Sequence, residues 1–329
     1  MNKPLVSILI PTYNQRVEFL KESIQSAIHQ SYSNIEVIIS DNHSDKGIEE
    51  MVKAIDNGKV RLIKPQKHLQ INQHFNFIAS EANGDYISFL SSDDVLEPNC
   101  IERVMEYVLK ENNIVMGYCE NSIIDEKSQK LYLIRNFKLA SGIYNASDTA
   151  WRMLNNTEYW IIGSVIKKSE FLKELFNDEV IAADWILGFK LLKYGKIAYV
   201  NQDLASIRFH ERIGDGKEIY GKRKLDHLKQ VTLKYALLLN DKELMKKMNI
   251  NEGVLLNKKN SEILITAVIV TRNYHKNVIN KINAKEILNE LLLQRNSWFI
   301  KVLSINFSNK LGLMFTYLIG ALRRLKIIL

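Results

Sequence analysis

Two patterns of apolar positions alternate over residues 4–100. Short runs of adjacent apolar and β-branched residues, bounded by Pro, Gly, Asn or Asp, are typical of strands buried on both faces. The segments between these runs space their apolar residues at helical intervals. The predicted strands are Leu5–Ile10, Ile35–Ile39, Val60–Ile63 and Tyr86–Leu90, and the predicted helices are Glu18–Gln30, Ile48–Ile55 and Asn72–Ala82. This alternation predicts an α/β fold with a mostly parallel central sheet flanked by helices.

Residues 101–220 mix the two patterns without regular alternation. The predicted helices are Ile101–Lys110 and Asp184–Tyr194, and the predicted strands are Ile114–Cys119, Ile197–Asn201 and Leu204–Phe209. Beyond residue 220 the apolar stripes are mostly helical. We therefore predict one α/β domain over residues 1–218 and a helical C-terminal domain over residues 219–329.

The charge distribution supports the same division. Residues 221–329 carry 20 Lys and Arg against 7 Asp and Glu, whereas the preceding part is slightly acidic. A basic region meets nucleic acid, anionic lipid or water. Nucleic acid is not an expected partner, because no strand face interleaves aromatic with basic residues. The two cysteines are too few for a disulfide framework and are expected to be buried thiols in a reducing compartment. No leader is visible, and no apolar run reaches the ~18 residues of a membrane span.

Three polar clusters directly follow predicted strands. They are Pro11–Asn14, Ser40–Asp45 and Ser91–Asp94. In open α/β sheets ligands bind beyond the carboxyl ends of the strands, so these clusters mark a candidate site. A carboxylate at Asp41 can accept a hydrogen bond from the imide N–H of uracil or thymine. The alternative for Asp41 is a turn or helix cap.

The acids of the third cluster suit a divalent cation. Asp93 and Asp94 come directly after a strand, and Mg²⁺ or Mn²⁺ typically combines one or two carboxylates with substrate phosphate oxygens. The alternative is that these acids cap a following helix. A dinucleotide oxidoreductase is disfavoured, because no Gly-X-Gly-X-X-Gly follows the first strand.

The segments Val6–Asn14, Ile38–Asp45 and Gly84–Asp94 resemble, in this order and at this spacing, the motifs of glycosyltransferase family 2. The resemblance covers about residues 4–212. It implies a GT-A-type nucleotide-diphospho-sugar transferase fold, with the nucleotide-sugar part over about 1–100 and the acceptor part over about 101–218. It also implies inverting transfer of one hexose or N-acetylhexosamine from a nucleotide-sugar, expected to be a UDP-sugar, with Mn²⁺ or Mg²⁺ as cofactor.

Matching positions assign roles to individual residues. The resemblance implies that the nucleotide-sugar contacts Pro11, Thr12, Tyr13, Asn14, Asp41, Asn76, Ser92, Asp93 and Arg208. The metal falls to Asp93, with Asp94 and His210 as further ligands. Ser91 stands where the family has the first acid of its Asp-X-Asp motif, which leaves Asp93 with most of the metal binding.

The acceptor side is assigned in the same way. Asp184 matches the family's general base, which removes the proton of the acceptor hydroxyl; its alternative is a helix cap before a core tryptophan. Trp160, Gly163 and Trp185 fall where the family places the acceptor pocket, although an aromatic residue there can equally belong to the core.

The C-terminal end and the family together suggest where the protein acts. Leu311–Leu322 is apolar and is followed by the basic Arg323–Leu329, a pattern that suits an interfacial helix at the inner face of the cell membrane. The alternatives are packing on the body or on a second copy in a homo-oligomer. The resemblance implies a glycan or lipid-linked acceptor in bacterial surface polysaccharide synthesis. Because Ser91 replaces an acid, a non-catalytic relative that acts as an assembly partner stays open.

Overall fold

The strands between Val6 and Arg208 form a ten-stranded mixed sheet, and helices pack on it. The computed structural model describes residues 3–55, 58–134, 139–155, 161–178, 183–209, 233, 235–256 and 259. The strands are β1 Val6–Thr12, β2 Ile35–Asp41, β3 Val60–Ile63, β4 Tyr86–Phe89, β5 Val95–Leu96, β6 Ile114–Ile124, β7 Lys130–Ile134, β8 Gly142–Tyr144, β9 Val165–Lys167 and β10 Lys196–Arg208. The described helices are α1 Val17–Ile28, α2 Glu49–Ile55, α3 Ile71–Ser80, α4 Cys100–Val108, α5 Ala146–Asn155, α6 Lys168–Glu174, α7 Ala183–Leu191 and α8 Lys242–Met248.

The strand order brings several carboxyl ends to one edge of the sheet. The order is β3-β2-β1-β4-β9-β6-β10-β5, with β7 paired to β6 and β8 paired to β10. β1, β2, β3 and β4 pair in parallel, as do β6 and β10. β9 is antiparallel to both β4 and β6, so β6 and β10 run in the same direction as β4. The ends of β1, β2, β4, β6 and β10 therefore share one edge, and the parallel pairs confirm the predicted α/β architecture.

The strands that the pattern predicted best are those with both faces covered. β1 is buried along its whole length, and β2 is buried at all but one position. Such strands read as continuous apolar runs. Against these strands α1 buries an apolar stripe that includes Phe19, Leu20 and Ile24.

Two predicted strands prove to be one. The runs predicted at 197–201 and 204–209 form the single strand β10, whose pairing with β6 shifts register between Val200 and Ala205. β6 also runs beyond its predicted end at Cys119. It continues because the buried Asn121 donates its amide to the Ile162 carbonyl at 2.9 Å, which offsets the cost of enclosing a polar side chain.

Both cysteines are free and fully buried, as predicted. The Cys100 and Cys119 thiols approach the Gly163 carbonyl at 3.9 and 3.5 Å. Gly163 has φ +77°, and a Cβ at this position would lie 2.8 Å from the Cys119 sulfur and from the Ala205 Cβ. The position therefore requires glycine for packing reasons.

Contacts divide the chain into two compact units, Met1–His210 and Glu211–Leu329. The functional division predicted near residue 218 stays a prediction. In the second unit residues 235–240 are helical, and α8 follows with Asp241 as N-cap, whose carboxylate accepts from the Leu244 N–H at 3.0 Å. Among the described residues no helix has the length and apolarity to cross a bilayer. The predicted interfacial segment 311–329 lies outside them.

Candidate active site

Two buried polar side chains meet at the ends of β1 and β2. Thr12 lies opposite Asp41 in the parallel register, and both residues are almost fully buried. Asp41 Oδ1 accepts from the Ser44 N–H at 3.1 Å, and Oδ2 lies 3.5 Å from Lys64 Nζ. Within the described part of the chain, Thr12 Oγ1 and Asp41 Oδ2 have no hydrogen-bond partner. Buried polar atoms are almost always satisfied, so this pair marks a place where a ligand can supply the missing bonds.

An aromatic residue and a histidine border this pair. The Tyr13 side chain is half exposed, and its ring meets the His68 ring edge-on at a centroid distance of 4.7 Å. His68 Nδ1 lies 3.0 Å from the Asn42 carbonyl, which fixes the ring. Sequence reasoning interpreted His68 as a surface or core polar residue and did not consider Lys64. Lys64 could have been found, because it directly follows β3 and so occupies the same strand-end position as the three polar clusters.

Asn14 holds the loops after β1 and β2 together. Its backbone has φ 48° and donates to Ser44 Oγ at 2.9 Å, while its side-chain amide donates to Asp45 Oδ2 at 2.9 Å and accepts from the Asp45 N–H at 2.8 Å. Pro11 is buried within β1. These two residues therefore frame the predicted nucleotide site, and the amide of Asn14 is already engaged.

The loop Ser91–Asp94 follows β4 at the same edge. Asp93 is partly exposed, whereas Asp94 is buried and its Oδ1 accepts from the Arg208 N–H at 2.8 Å. Burial and the neighbouring Asp93 charge raise the pKa of Asp94 to about 7. Ser92 Oγ accepts from Gln15 Nε2 at 3.3 Å, which ties this loop to the end of β1.

The donor set of this loop fits a cation that is shared with a substrate. Two adjacent carboxylates, one of them buried beside a like charge, are stabilised by a divalent cation. Within the described ranges no group of three or more His, Cys, Asp and Glu side chains is arranged to hold a metal. The residues therefore suit Mn²⁺ or Mg²⁺ bound mainly by Asp93 and substrate oxygens. His210, the other predicted ligand, lies outside the described residues.

Arg208 does not occupy the predicted place at a diphosphate. Its side chain is fully enclosed and packs on the Phe19 ring at 4.5 Å. Its Nε donates to the Asp93 carbonyl at 2.9 Å, and its Nη2 donates to Glu22 Oε2 at 2.6 Å. The guanidinium is committed to protein acceptors, so the predicted contact with the leaving group is corrected.

Asn76 is likewise committed elsewhere. Its amide donates to the Phe176 carbonyl at 3.0 Å and accepts from the Phe176 N–H at 2.9 Å. One turn earlier, Asn72 donates to the Asn177 carbonyl at 2.7 Å. Both amides anchor the segment after α6, and the nucleotide contact predicted for Asn76 is not formed in this geometry.

Asp184 lies in the first turn of α7. Its Oδ1 accepts from the Trp185 N–H at 2.9 Å, and burial raises its pKa to about 6. The side chain is partly exposed. The helix begins one residue earlier, at Ala183, and the helix-cap and base interpretations both stay predictions.

The two described acceptor residues belong to the core. Trp185 is 3% exposed, donates its indole N–H to the Met153 carbonyl at 3.3 Å and stacks on Phe189 at 4.9 Å. Gly163 packs against Cys119 as described above. This packing supports the core alternative for Trp185 and Gly163, and their acceptor assignment stays a prediction. Trp160 lies outside the described residues.

Comparison with known proteins identifies the family of this chain. The model of glycosyl transferase family 2 matches residues 7–171. The chain belongs to glycosyltransferase family 2. An uncharacterized glycosyltransferase of Rickettsia felis is 31% identical over 221 residues, which is 65% of this chain and 36% of that protein. One of Haemophilus influenzae is 35% identical over 140 residues, or 42% of this chain and 55% of the relative. The chain thus spans only about a third to a half of these family members.

Several solved structures share the fold. The crystal structure of S. aureus TarS 1-349 has a TM-score of 0.62 at 14% identity, covering 87% of this chain and 80% of that one. The mannosyltransferase PcManGT from Pyrobaculum calidifontis has a TM-score of 0.56 at 12% identity, covering 93% and 85%. These likenesses confirm the predicted GT-A fold. The family match ends at residue 171, so Asp184 and Arg208 lie beyond it.

Proposed function

We propose that this family member is an inverting glycosyltransferase that moves one hexose or N-acetylhexosamine from a UDP-sugar onto a hydroxyl of a glycan or lipid-linked acceptor. The observation that carries the proposal is the pair of buried atoms Thr12 Oγ1 and Asp41 Oδ2 at the end of two parallel strands, which have no hydrogen-bond partner in the described part of the chain. Structural neighbours support it: TarS 1-349 has been solved with UDP and with UDP-GlcNAc, and PcManGT with GDP-Man and Mn²⁺.

The nucleotide base fits the end of β2. Asp41 Oδ2 would accept the imide N–H of uracil, and Thr12 Oγ1 would bond a polar atom of the nucleoside. Tyr13 and His68 offer ring surface beside this position. Lys64 Nζ lies 3.5 Å from Oδ2 and places a positive charge beside this buried carboxylate.

The diphosphate then falls toward the loop after β4. Asp93, with Asp94 beside it, would hold Mn²⁺ or Mg²⁺, which supplies positive charge to the diphosphate as it leaves. Gln15 and Ser92 are bonded to each other at this position and keep the two loops in register.

Asp184 serves as the base of a single displacement. The acceptor oxygen forms a bond to C1 of the sugar while the bond from C1 to the phosphate oxygen breaks. The nucleoside diphosphate leaves with that electron pair, and the hydroxyl proton passes to the Asp184 carboxylate. A pKa of about 6 suits this step, because the group is ionised at neutral pH yet more basic than an ordinary aspartate.

A thermal-shift screen of nucleotide-sugars with Mn²⁺ tests the proposal. Raised melting temperatures with UDP-sugars, larger with Mn²⁺ than with EDTA, are expected, and so is slow release of UDP from the matching donor. The absence of a shift with every UDP-sugar would contradict the assignment. A stronger shift with GDP-sugars would move the base assignment to guanine, whose ring N–H groups can also bond a carboxylate.

The acceptor and the location complete the proposal. We place the reaction in bacterial surface polysaccharide synthesis at the inner face of the cell membrane, with residues 305–329 as a peripheral anchor and a homo-oligomer as the competing use of the C-terminal helices. Removal of these residues should abolish co-sedimentation with anionic vesicles. Unchanged sedimentation would reject the anchor.

A second candidate rests on Ser91, which replaces an acid at the metal loop. A non-catalytic relative that works as an assembly partner would bind UDP but release none from any UDP-sugar. Measurement of binding and of release on the same preparation therefore separates the two functions.

A further inference from the structure

Arg208, the last residue of β10, forms hydrogen bonds to three other segments of the chain. Nε donates to the Asp93 carbonyl at 2.9 Å, Nη1 to the Asp125 carbonyl at 2.9 Å and to Ser128 Oγ at 3.0 Å, and Nη2 to Glu22 Oε2 at 2.6 Å. Its own backbone N–H donates to Asp94 Oδ1 at 2.8 Å. The residue thus joins the loop after β4 to α1 and to the turn between β6 and β7.

We infer that Arg208 is a positioning residue for the metal-binding loop, fixing Asp93 through its carbonyl and Asp94 through its carboxylate. This inference rests on the proposed function. It assigns the arginine to the shape of the site and not to contact with the diphosphate. Arg208 lies beyond residue 171, where the family match ends, so the matched segment depends on a side chain outside it.

The surroundings explain why an arginine is needed. A guanidinium is planar, permanently charged and carries five donors in a fixed fork, so one side chain can hold acceptors that lie in different directions. Lysine presents a single point charge with three donors and cannot span the same set. The Phe19 ring, 4.5 Å away, covers the planar group and excludes water.

The positive charge of Arg208 is balanced by a carboxylate of the protein. Its counter-ion is Glu22, which also accepts from Ser128 Oγ at 2.7 Å. On the outer side of the same turn, Arg16 pairs with Glu126 through two bonds of 3.0 and 3.1 Å. An arginine that binds phosphate would instead turn donors toward solvent, whereas the Arg208 side chain has no exposed surface.

Other bonds also hold the same loop. Ser23 Oγ donates to the Ser91 carbonyl at 3.0 Å, and Gln15 reaches Ser92. Arg208 contacts both of the last two residues of this loop through its own donors. Loss of the side-chain bond would remove a donor from the Asp93 carbonyl and weaken the hold on the metal-binding loop.

The experiment compares Arg208→Gln, Arg208→Lys and Glu22→Gln with the matched control Arg103→Gln. Arg103 forms an exposed pair with Glu106 on α4. Binding of Mn²⁺ in the presence of UDP is followed from the electron paramagnetic resonance signal of the free ion. Binding of UDP in EDTA is followed by calorimetry.

The variants should separate metal binding from nucleotide binding. Because residues that orient metal ligands typically change affinity by about 10- to 100-fold, Arg208→Gln should weaken Mn²⁺ binding by that factor. Arg208→Lys should recover part of the loss, and Glu22→Gln should show a smaller loss in the same direction. UDP affinity in EDTA should not change in any variant, and Arg103→Gln should match the wild type in both measurements.

Three results would overturn the inference. Wild-type Mn²⁺ affinity in folded Arg208→Gln removes the positioning role, and an equal loss of UDP affinity in EDTA indicates direct phosphate contact. If Arg208→Gln does not fold, the test passes to Glu22→Gln, whose side chain is partly exposed; unchanged Mn²⁺ affinity there also rejects the role. Failure of the wild type to bind UDP with Mn²⁺ would instead reject the proposed function itself, and this inference with it.

Discussion

The donor side and the acceptor side of the candidate site differ in how their predicted residues are used. At the ends of β1 and β2, Thr12 Oγ1 and Asp41 Oδ2 have no hydrogen-bond partner among the described residues. On the acceptor side, Trp185 and Gly163 are packed into the core, and their polar groups are already bonded. Polar residues at strand ends thus indicate ligand binding, whereas aromatic and small residues near a catalytic acid can equally reflect packing.

The largest expected effect tests Asp184, the predicted base on the acceptor side. Asp184→Asn should lower kcat by about 10²- to 10⁴-fold, because the amide cannot take up the hydroxyl proton. UDP affinity should stay at the wild-type value. Retained turnover would remove the base assignment and leave the acceptor side without a catalytic group.

Trp185→Ala tests whether this tryptophan serves the core or the acceptor pocket. Removing this buried indole should lower the free energy of unfolding by about 3–5 kcal/mol, as measured by urea denaturation. Trp185→Phe should recover much of that loss and leave the KM for the acceptor unchanged. A raised acceptor KM at wild-type stability would support the pocket assignment.

Asp41→Asn tests the donor side directly. The asparagine would place an N–H donor where Oδ2 accepts, opposite the uracil N–H. UDP binding should therefore weaken by about 1–3 kcal/mol in calorimetry. Asp85→Asn, the same change at an exposed residue directly before β4, is the matched control and should have little effect. Equal losses in both variants would contradict a specific base contact.

The pH dependence follows from the raised pKa of Asp184. The carboxylate must be ionised to act as a base, so log kcat should fall by about one unit per pH unit below pH 6 and level off above it. Burial raises the pKa of Asp184 in the folded state, so the protonated group favours folding at low pH. This contribution to the free energy of unfolding is lost as the pH rises through about 6, and the cost of ionising the buried carboxylate persists at neutral pH. A flat kcat profile between pH 5 and 7 would contradict the assignment.

The smallest expected effect concerns Asn76. Asn76→Ala should lower the free energy of unfolding by about 1 kcal/mol per lost bond to Phe176, with UDP affinity unchanged. Gln73→Ala, which removes an exposed bond to Asp178, is the control. A loss of UDP affinity at wild-type stability would instead revive the predicted nucleotide contact.

Sequence patterns predicted the parallel half of the sheet because burial on both faces leaves an apolar run. They did not predict the short strands β5, β7, β8 and β9. β7, at Lys130–Ile134, is exposed at four of its five residues, so no alternation marks it. The extension of β6 was also hidden, because Asn121 is polar in sequence and finds its partner at Ile162, 41 residues away.

The strand-end placement of Thr12 and Asp41 could be predicted, because each ends a buried strand. The ligand contacts of these two residues and of Asp93 stay predictions. The surroundings of Asn76 and Arg208 could not be predicted, because their partners Phe176 and Glu22 are 100 and 186 residues distant in the chain. A local motif identifies a residue type, whereas the atoms that its side chain contacts are set by the tertiary fold.

The two enclosed thiols make the protein convenient for spectroscopy. Cys100 and Cys119 are the only cysteines of the chain, and both are fully buried. A cysteine introduced at the exposed Lys46 would therefore react with a maleimide dye under native conditions, with no need to replace either natural thiol. Lys46 follows Asp45 in the loop that Asn14 fastens to β1, so a fluorophore there would sit beside the proposed base site and could follow nucleotide arrival in real time.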